Sequence, residues 1–422
     1  MTMSTEQGFE PPPGPEEESV CRVCGYGSPL INKEAPGHAT AATLATADAA
    51  YTMFVGTAID REVSAGRFAW VGGLGEEIAA WAAAGKDVPS QHGQILDRIL
   101  HALAAHAGRD SLRTLLRLPA YLGTVASGRL RAERWLAALV ADGHWIEDIV
   151  ELVFAEEADS VHSREFAACL LHELVLTSGR VEEYPTLCSF AGELVDEGHP
   201  LAALPLSLLP AERGLRRPPN ADDTWTWFVP PTPLAVFDDP ELHASPPMRQ
   251  RTADIDMTEI STDAVAEVMG AAVRHWCSES NGLVAAQEFW SPDPVAPDDF
   301  AAVFERLPLT PWLEGESTAQ LYASTSDSVL RVLLSAAVRS SAYGFGVYGA
   351  YGRLATWRSL RGLTGAPADA PLARVAELVE QAEWFRIATT SDWFHEVAWD
   401  LAVAALRPGR QEIAVLAATD TD

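Results

Sequence analysis

Pro218, Pro219, Pro230, Pro231, Pro233, Pro240, Pro246 and Pro247 crowd the stretch between Arg216 and Ile260. Each proline fixes its own φ and lacks a backbone N–H, so neither a long helix nor a central strand can run through this stretch. The chain is therefore predicted to divide here, with residues 216–260 as a linker between a part before it and a part after it. Trp225, Trp227 and Phe228 lie within the linker. A free linker would leave those rings in water, so they predict a short edge strand or a strap lying on a folded surface.

The part before the linker is helical. Ile95, Leu96, Ile99, Leu100 and Leu103 fall on one helical face, and Ile146, Ile149, Val150, Val153 and Phe154 on another. Phe166, Leu170, Leu171, Leu174 and Val175 repeat the spacing. Short breaks at Ala107-Gly108, Ser127-Gly128 and Ser178-Gly179 suit antiparallel neighbours. Residues 59–215 are thus expected to form helical hairpins in a HEAT-like stack without a strict repeat length. Cys169, on an apolar face, reads as a reduced core thiol. The segment from His144 to Asp159 carries carboxylates and no Lys or Arg, which reads as a solvated acidic face.

After the linker the periods mix. Helices are predicted at Asp263 to Cys277, near Asp298 to Glu305, at about 347–361, 371–383 and 393–406, and after a cap at Ser324. Strands are predicted at Leu283 to Trp290, near Leu321, at Trp384 to Ala388 and at Glu412 to Ala418. The last strand would hold Asp420 and Asp422 at the end of a sheet. Residues 261–422 read as a smaller α/β domain, and the whole as an α+β, mostly helical protein. Residues 1–58, with prolines among glutamates and then an Ala/Thr-rich run, read as a disordered leader, with a helix around Ala41 to Val55 if that part docks elsewhere.

Acids number 59 against 30 bases, a net charge of −29. Binding to a phosphate backbone is driven by Lys and Arg displacing counterions, so this balance argues against nucleic acid and anionic membranes as partners. The apolar runs are shorter than a bilayer span, and Glu10 and Glu16 to Glu18 stand where a secretion signal would have bases, so a cytoplasmic location is expected. Five cysteines are too few and too scattered for a disulfide framework. Cys21 and Cys24 have the gap of half a zinc knuckle, but no second pair follows, so they read as a thiol pair and no cofactor is assigned.

Gly344, Gly346 and Gly349 spell G-x-G-x-x-G, but a helix rather than a strand precedes them and tyrosines interleave them. A tight turn packed under rings accounts for them better than a dinucleotide site. Arg353 and Arg358 read as surface arginines pairing with the chain's excess of acids, with binding of a carboxylate or phosphate as the alternative. If Ser391 to Asp400 is helical, Asp392, Glu396 and Asp400 stack on one face beside His395 and Trp399, a like-charge column that a cation or an arginine would relieve. Asp420 and Asp422 share one side of the terminal strand and are weak candidates for a hard cation; no metal is assigned.

Ser280-Asn-Gly282, the run from Tyr348 to Leu360, Trp393-Phe394 with Val397-Ala-Trp-Asp400, and Leu416 to Asp422 together resemble an uncharacterised bacterial family, domain of unknown function 6183. The resemblance covers the last 150 or so residues by motif and is compatible with the helical half; the Cys21–Cys24 leader stands outside it. It implies that Arg353, Trp399, Asp400, Asp420 and Asp422 belong to the family's characteristic blocks, and it implies no activity, substrate or cofactor. With Tyr348 and His395 these residues are the candidate ligand-binding set. The expected function is that of a cytoplasmic, non-catalytic interaction or regulatory protein with a protein or small-ligand partner. The competing expectation is a divalent-cation-dependent enzyme acting on a small or phosphorylated substrate, which requires Arg353, Asp400, Asp420 and Asp422 to converge.

Overall fold

The computed structural model describes residues 39–84, 89–118, 129–155, 163–215, 248, 255–313, 317–344, 346–389, 391–394 and 399–421. Its described residues form two compact units, one within residues 1–127 and one within residues 128–422. The first is helical: α1 (Ala41–Leu44), α2 (Ala49–Ser64), α3 (Phe68–Ala83), α4 (Ser90–Ala105) and α5 (Arg109–Leu116). The expected face of α4, from Ile95 to Leu103, is buried as predicted, and α4 packs against α2 and α5. Asp48 caps α2, its Oδ1 accepting from Tyr51 N at 2.8 Å, and buried His92 Nε2 lies 2.7 Å from Ala41 O.

The second unit begins with α6 (Arg129–Gly143), α7 (Ile146–Ile149) running into a π turn over Val150–Phe154, α8 (Arg164–Thr177) and α9 (Pro185–Asp196). Its later part holds α10 (Asp263–Met269), a 3-10 turn at Gly270–Val273, α11 (Arg274–Glu279), α12 (Phe300–Phe304), α13 (Ser326–Val338), α14 (Tyr348–Leu363) and α15 (Leu372–Gln381). Six strands complete it: β1 (Thr258–Glu259), β2 (Leu283–Trp290), β3 (Ala319–Ser324), β4 (Glu383–Thr389), β5 (Trp399–Leu406) and β6 (Glu412–Asp420). They form one sheet, order β1-β2-β6-β5-β4-β3, antiparallel throughout.

Within the second unit, the helices of residues 129–215 pack on α13 and α14. Of the linker, Met248 is described: its N–H donates to Leu321 O at 2.8 Å on the outer strand β3, and its side chain packs on the sheet core. Trp225, Trp227 and Phe228 lie outside the described residues.

The sheet is buried on both faces. Phe289, Phe385, Leu406, Ile413 and Val415 on one face pack against Phe300, Phe304 and Trp312, with the Phe300 and Phe385 rings stacked 3.8 Å apart. The opposite face meets α10, α11, α13 and α14. Burial on both sides explains the main error of sequence reading, the helix expected over 393–406. Residues 399–406 are strand β5, paired along its whole length with β6. A short run that is apolar on both faces lacks the alternation that marks a strand and is indistinguishable by period from a buried helix. The cap expected at Ser324 is Thr325, whose side chain accepts from Ser328 N at 3.3 Å.

Helix α14 is the axis of this unit. Its N-terminus meets a buried carboxylate, Glu173 of α8, whose Oε1 accepts from Ala350 N at 2.8 Å. At its C-terminus, buried Arg407 donates to Gly362 O at 2.7 Å and to Leu363 O at 3.0 Å, while pairing with Glu288 and Glu412. The Glu173 carboxyl at one end and the Arg407 cation at the other satisfy terminal backbone groups, and the cation also complements the helix dipole.

Candidate functional site

Arg353 is buried in the middle of α14, not on the surface. Its Nε donates to Glu212 Oε1 at 2.6 Å and its Nη2 to Oε2 at 2.8 Å; Nη1 and Nη2 also donate to Pro205 O and Ser207 O, each at 2.9 Å. Glu212 further accepts from Trp357 Nε1 at 2.7 Å and Leu209 N at 2.8 Å. The carboxylate thus accepts four hydrogen bonds, about as many as its lone pairs can take, and the guanidinium has no fork left for a ligand.

Asp420 is also fully buried. Its Oδ2 accepts from Ala342 N at 2.6 Å and its Oδ1 from Thr421 N at 3.1 Å, so it fastens the loop after α13 to the end of the sheet. Trp399, directly opposite Asp420 in the ladder, donates Nε1 to Ser340 O of the same loop at 2.9 Å, and Arg339 lies 4.9 Å over its ring. Asp400 instead pairs with Thr419. Cross-strand partners share a face and successive residues alternate, so Asp400 and Asp420 point to opposite faces of the sheet. The acidic column of Asp392, Glu396 and Asp400 does not form, since Asp400 is in a strand. His395, Glu396 and Asp422 lie outside the described residues, as do Cys21 and Cys24. Among the described residues no three His, Cys, Asp or Glu side chains group as a metal site. The set expected to converge is therefore divided, with Arg353 at Glu212 and the two described aspartates on different faces.

Tyr348 is buried at the start of α14 with φ 64°, a left-handed conformation unusual for a side chain of this size. Gly346 before it lies in a close turn, and Gly349 after it, inside α14, lets that helix approach α8. A Cβ at Gly346 would lie 2.8 Å from the Arg339 carbonyl carbon, and one at Gly349 would lie 2.8 Å from Leu176 Cδ1.

The accessible chemistry lies one face round α14. Tyr351, Leu354, Ala355 and Arg358, spaced i, i+3, i+4 and i+7, line a cavity of about 520 Å³. The facing wall comes from α10, the 3-10 turn after it and α11 through Glu267, Val268, Ala271, Arg274, His275 and Ser278, and Arg134 of α6 adds a side. Arg134 stacks over Tyr351 at 3.6 Å from the ring centre and its Nε lies 3.3 Å from Glu165 Oε1. Glu165 Oε2 also receives the Tyr351 hydroxyl at 3.2 Å and lies 3.2 Å from His199 Nε2. Burial and the adjacent Glu165 raise the Tyr351 phenol, so it stays a proton donor. Behind it, burial raises the Cys169 thiol well above its ordinary value, as expected for a core thiol.

Sequence reading had noted Arg358 but not Arg134, Arg274 or His275, which come from helices distant in sequence. The one local signal was the shared face of Tyr351, Leu354, Ala355 and Arg358.

The profile of a family of unknown function (DUF6183) matches residues 54–422. The chain belongs to this family. The match extends the resemblance seen in the C-terminal motifs back to residue 54, within α2. No curated protein and no solved structure matches the chain. In this DUF6183 protein, no helix among the described residues is long and apolar enough to cross a membrane.

Proposed function

We propose that this DUF6183 protein is a non-catalytic regulatory or interaction protein of the cytoplasm that responds to a small ligand held in the cavity beside α14. The observation that carries the reading is a division of labour along that helix. The polar residues of the family blocks, Arg353 and Asp420, are engaged inside the molecule, whereas the face Tyr351, Leu354, Ala355, Arg358 is turned to an open cavity. A cavity of this size, mostly apolar with a few convergent polar groups, is the ordinary form of a small-molecule site. The free thiols of Cys169, Cys188 and Cys277 support a reducing compartment.

The reading is tested by thermal unfolding of the full chain against a panel of small metabolites, nucleotides and divalent cations, in parallel with Ala355→Trp, which fills the cavity. A ligand at about a hundred times its Kd stabilises by about 2.7 kcal/mol. A stabilising compound whose effect disappears in Ala355→Trp, and which is recovered unchanged after incubation, supports the proposal. Conversion of the bound compound, or stabilisation by a divalent cation alone, overturns it in favour of an enzyme.

A further inference from the structure

We infer that the cavity beside α14 takes a small anion, a carboxylate or phosphate group carried on a compact apolar or aromatic body, with Arg358 as its anchor. The inference rests on the ligand-binding reading above and names the class of ligand.

Acids outnumber bases 59 to 30 over the whole chain, yet the cavity wall carries Arg134, Arg274 and Arg358 against Glu267 and Glu279. The local sign is thus reversed, and the three cations differ in how far they are committed. Arg134 is held by Glu165 and by the Tyr351 ring. Arg274 pairs with Glu267 at 2.8 Å, but both side chains are more than half exposed, at 53% and 64%. Such a pair is weak and yields readily to a better-placed anion. Arg358 is exposed and has no hydrogen bond or ion pair to any described residue. In a chain with a twofold excess of carboxylates, an arginine at a cavity left without an acid is a charge available to a ligand. Its planar fork suits the paired oxygens of a carboxylate or phosphate.

The rest of the wall sets the body of the ligand. Val268, Ala271, Val347, Leu354 and Ala355 present apolar surface, and the Tyr351 ring with the Arg134 plane on it offers a face for stacking. A bare inorganic anion would leave this wall in water, so about 520 Å³ of space calls for a carbon skeleton as well as a charge. A nucleic-acid strand is a poor candidate, because the net charge of −29 repels a polyanion at long range while a single small anion feels mainly the adjacent arginines.

Calorimetric titration of the full chain with phenylacetate, phenyl phosphate, inorganic phosphate and the neutral phenylacetamide tests the assignment, on the natural protein, Arg358→Gln and Ala355→Trp. Arg358 is exposed and makes no internal bond, so its replacement is expected to leave the unfolding midpoint unchanged. Phenylacetate or phenyl phosphate should bind at least tenfold more tightly than phenylacetamide, should lose that margin in Arg358→Gln, and should not bind Ala355→Trp. Whichever of the two anions binds better identifies the source as carboxylate or phosphate ester. Equal binding of phenylacetamide, or anion binding unaffected by Arg358→Gln, overturns the anion assignment while the cavity remains a ligand site. Inorganic phosphate binding as tightly as phenyl phosphate overturns the requirement for an apolar body. No binding by any of the four overturns the assignment, and the broader panel then decides separately whether the cavity binds anything.

Discussion

Arg353 and Glu212 form a bidentate ion pair that is sealed from solvent, with Nε to Oε1 at 2.6 Å and Nη2 to Oε2 at 2.8 Å. The pair joins the middle of α14 to a 3-10 turn at Pro210–Leu215, far away in sequence. Breaking such a pair by removing one partner leaves a buried charge alone and costs about 3–5 kcal/mol, whereas replacing both by apolar residues costs much less. Arg353→Met and Glu212→Leu should each lower the urea midpoint of the second unit sharply, and the double variant should recover a large part of the loss. Additive losses would show that the two residues do not depend on each other.

Glu173 and His172 are adjacent, both buried, and bias stability in opposite directions with pH. Burial pushes Glu173 up to about 8 from its ordinary 4.5, against the pull of the Ala350 and Gly349 N–H groups, with Asp142 adding to the rise. The folded state therefore holds a proton that the unfolded state has released, and stability falls between about pH 4.5 and pH 8 by up to about 1.4 kcal/mol per unit. Glu173→Gln should remove this decline, so that the variant gains on the natural protein as pH rises from 5 to 8. Parallel urea midpoints across that range would refute it.

His172 is held down to about 3 by burial and by the charges of Arg353 and His199. Here the folded state binds fewer protons than the unfolded one between about pH 3 and 6.5, so stability rises with pH across that window. His172→Gln should flatten the acid limb of the stability curve below pH 6.5, read from urea midpoints at pH 4, 5 and 6.

Arg407 joins the last two carbonyls of α14 to Glu288 and Glu412. Arg407→Leu strands the buried Glu288 carboxylate and should cost about 3–5 kcal/mol, measured as a fall in the unfolding midpoint. Raising the salt concentration should not mimic the effect, because a buried pair is screened little.

Asp420 tests whether the end of β6 is a fastening or a cation site. Both oxygens accept backbone N–H groups. Asp420→Ala leaves those donors without acceptors and should cost about 1–3 kcal/mol, while Asp420→Asn keeps one acceptor and should cost less. Magnesium should shift the midpoint of neither variant nor of the natural protein. A magnesium-dependent rise that Asp420→Asn abolishes would make it a cation site.

Much of the architecture was legible in local pattern. The buried face of α4 from Ile95 to Leu103, the strand from Leu283 to Trp290, the core helix after Thr325 and the close glycine turn before α14 all follow from period, capping or turn chemistry, which act within a few residues. The failures have a common cause. Residues 399–406 look alike as buried strand or buried helix until a partner strand is known, and the assignment is made by β6 through the ladder. Arg353 looked like a surface arginine because its partner, Glu212, lies far from it in sequence. Whether Asp400 and Asp420 converge, as the enzyme reading requires, was open because strand pairing, which sets them on opposite faces, is not written in either segment alone.

By itself the sequence determined the membership of this chain in DUF6183, its mostly helical α+β class, its acidity, and the inward face of helices such as α4. Those properties depend on composition and on spacings along one element. The tertiary structure alone decided which charged residues are internal and which face a cavity: Arg353 and Arg358 stand on the same helix five positions apart, and a turn of the backbone directs one to a buried carboxylate and the other to open space. The physical reason is that a charge's role is set by the groups it meets across space, and those groups come from segments that only folding brings together.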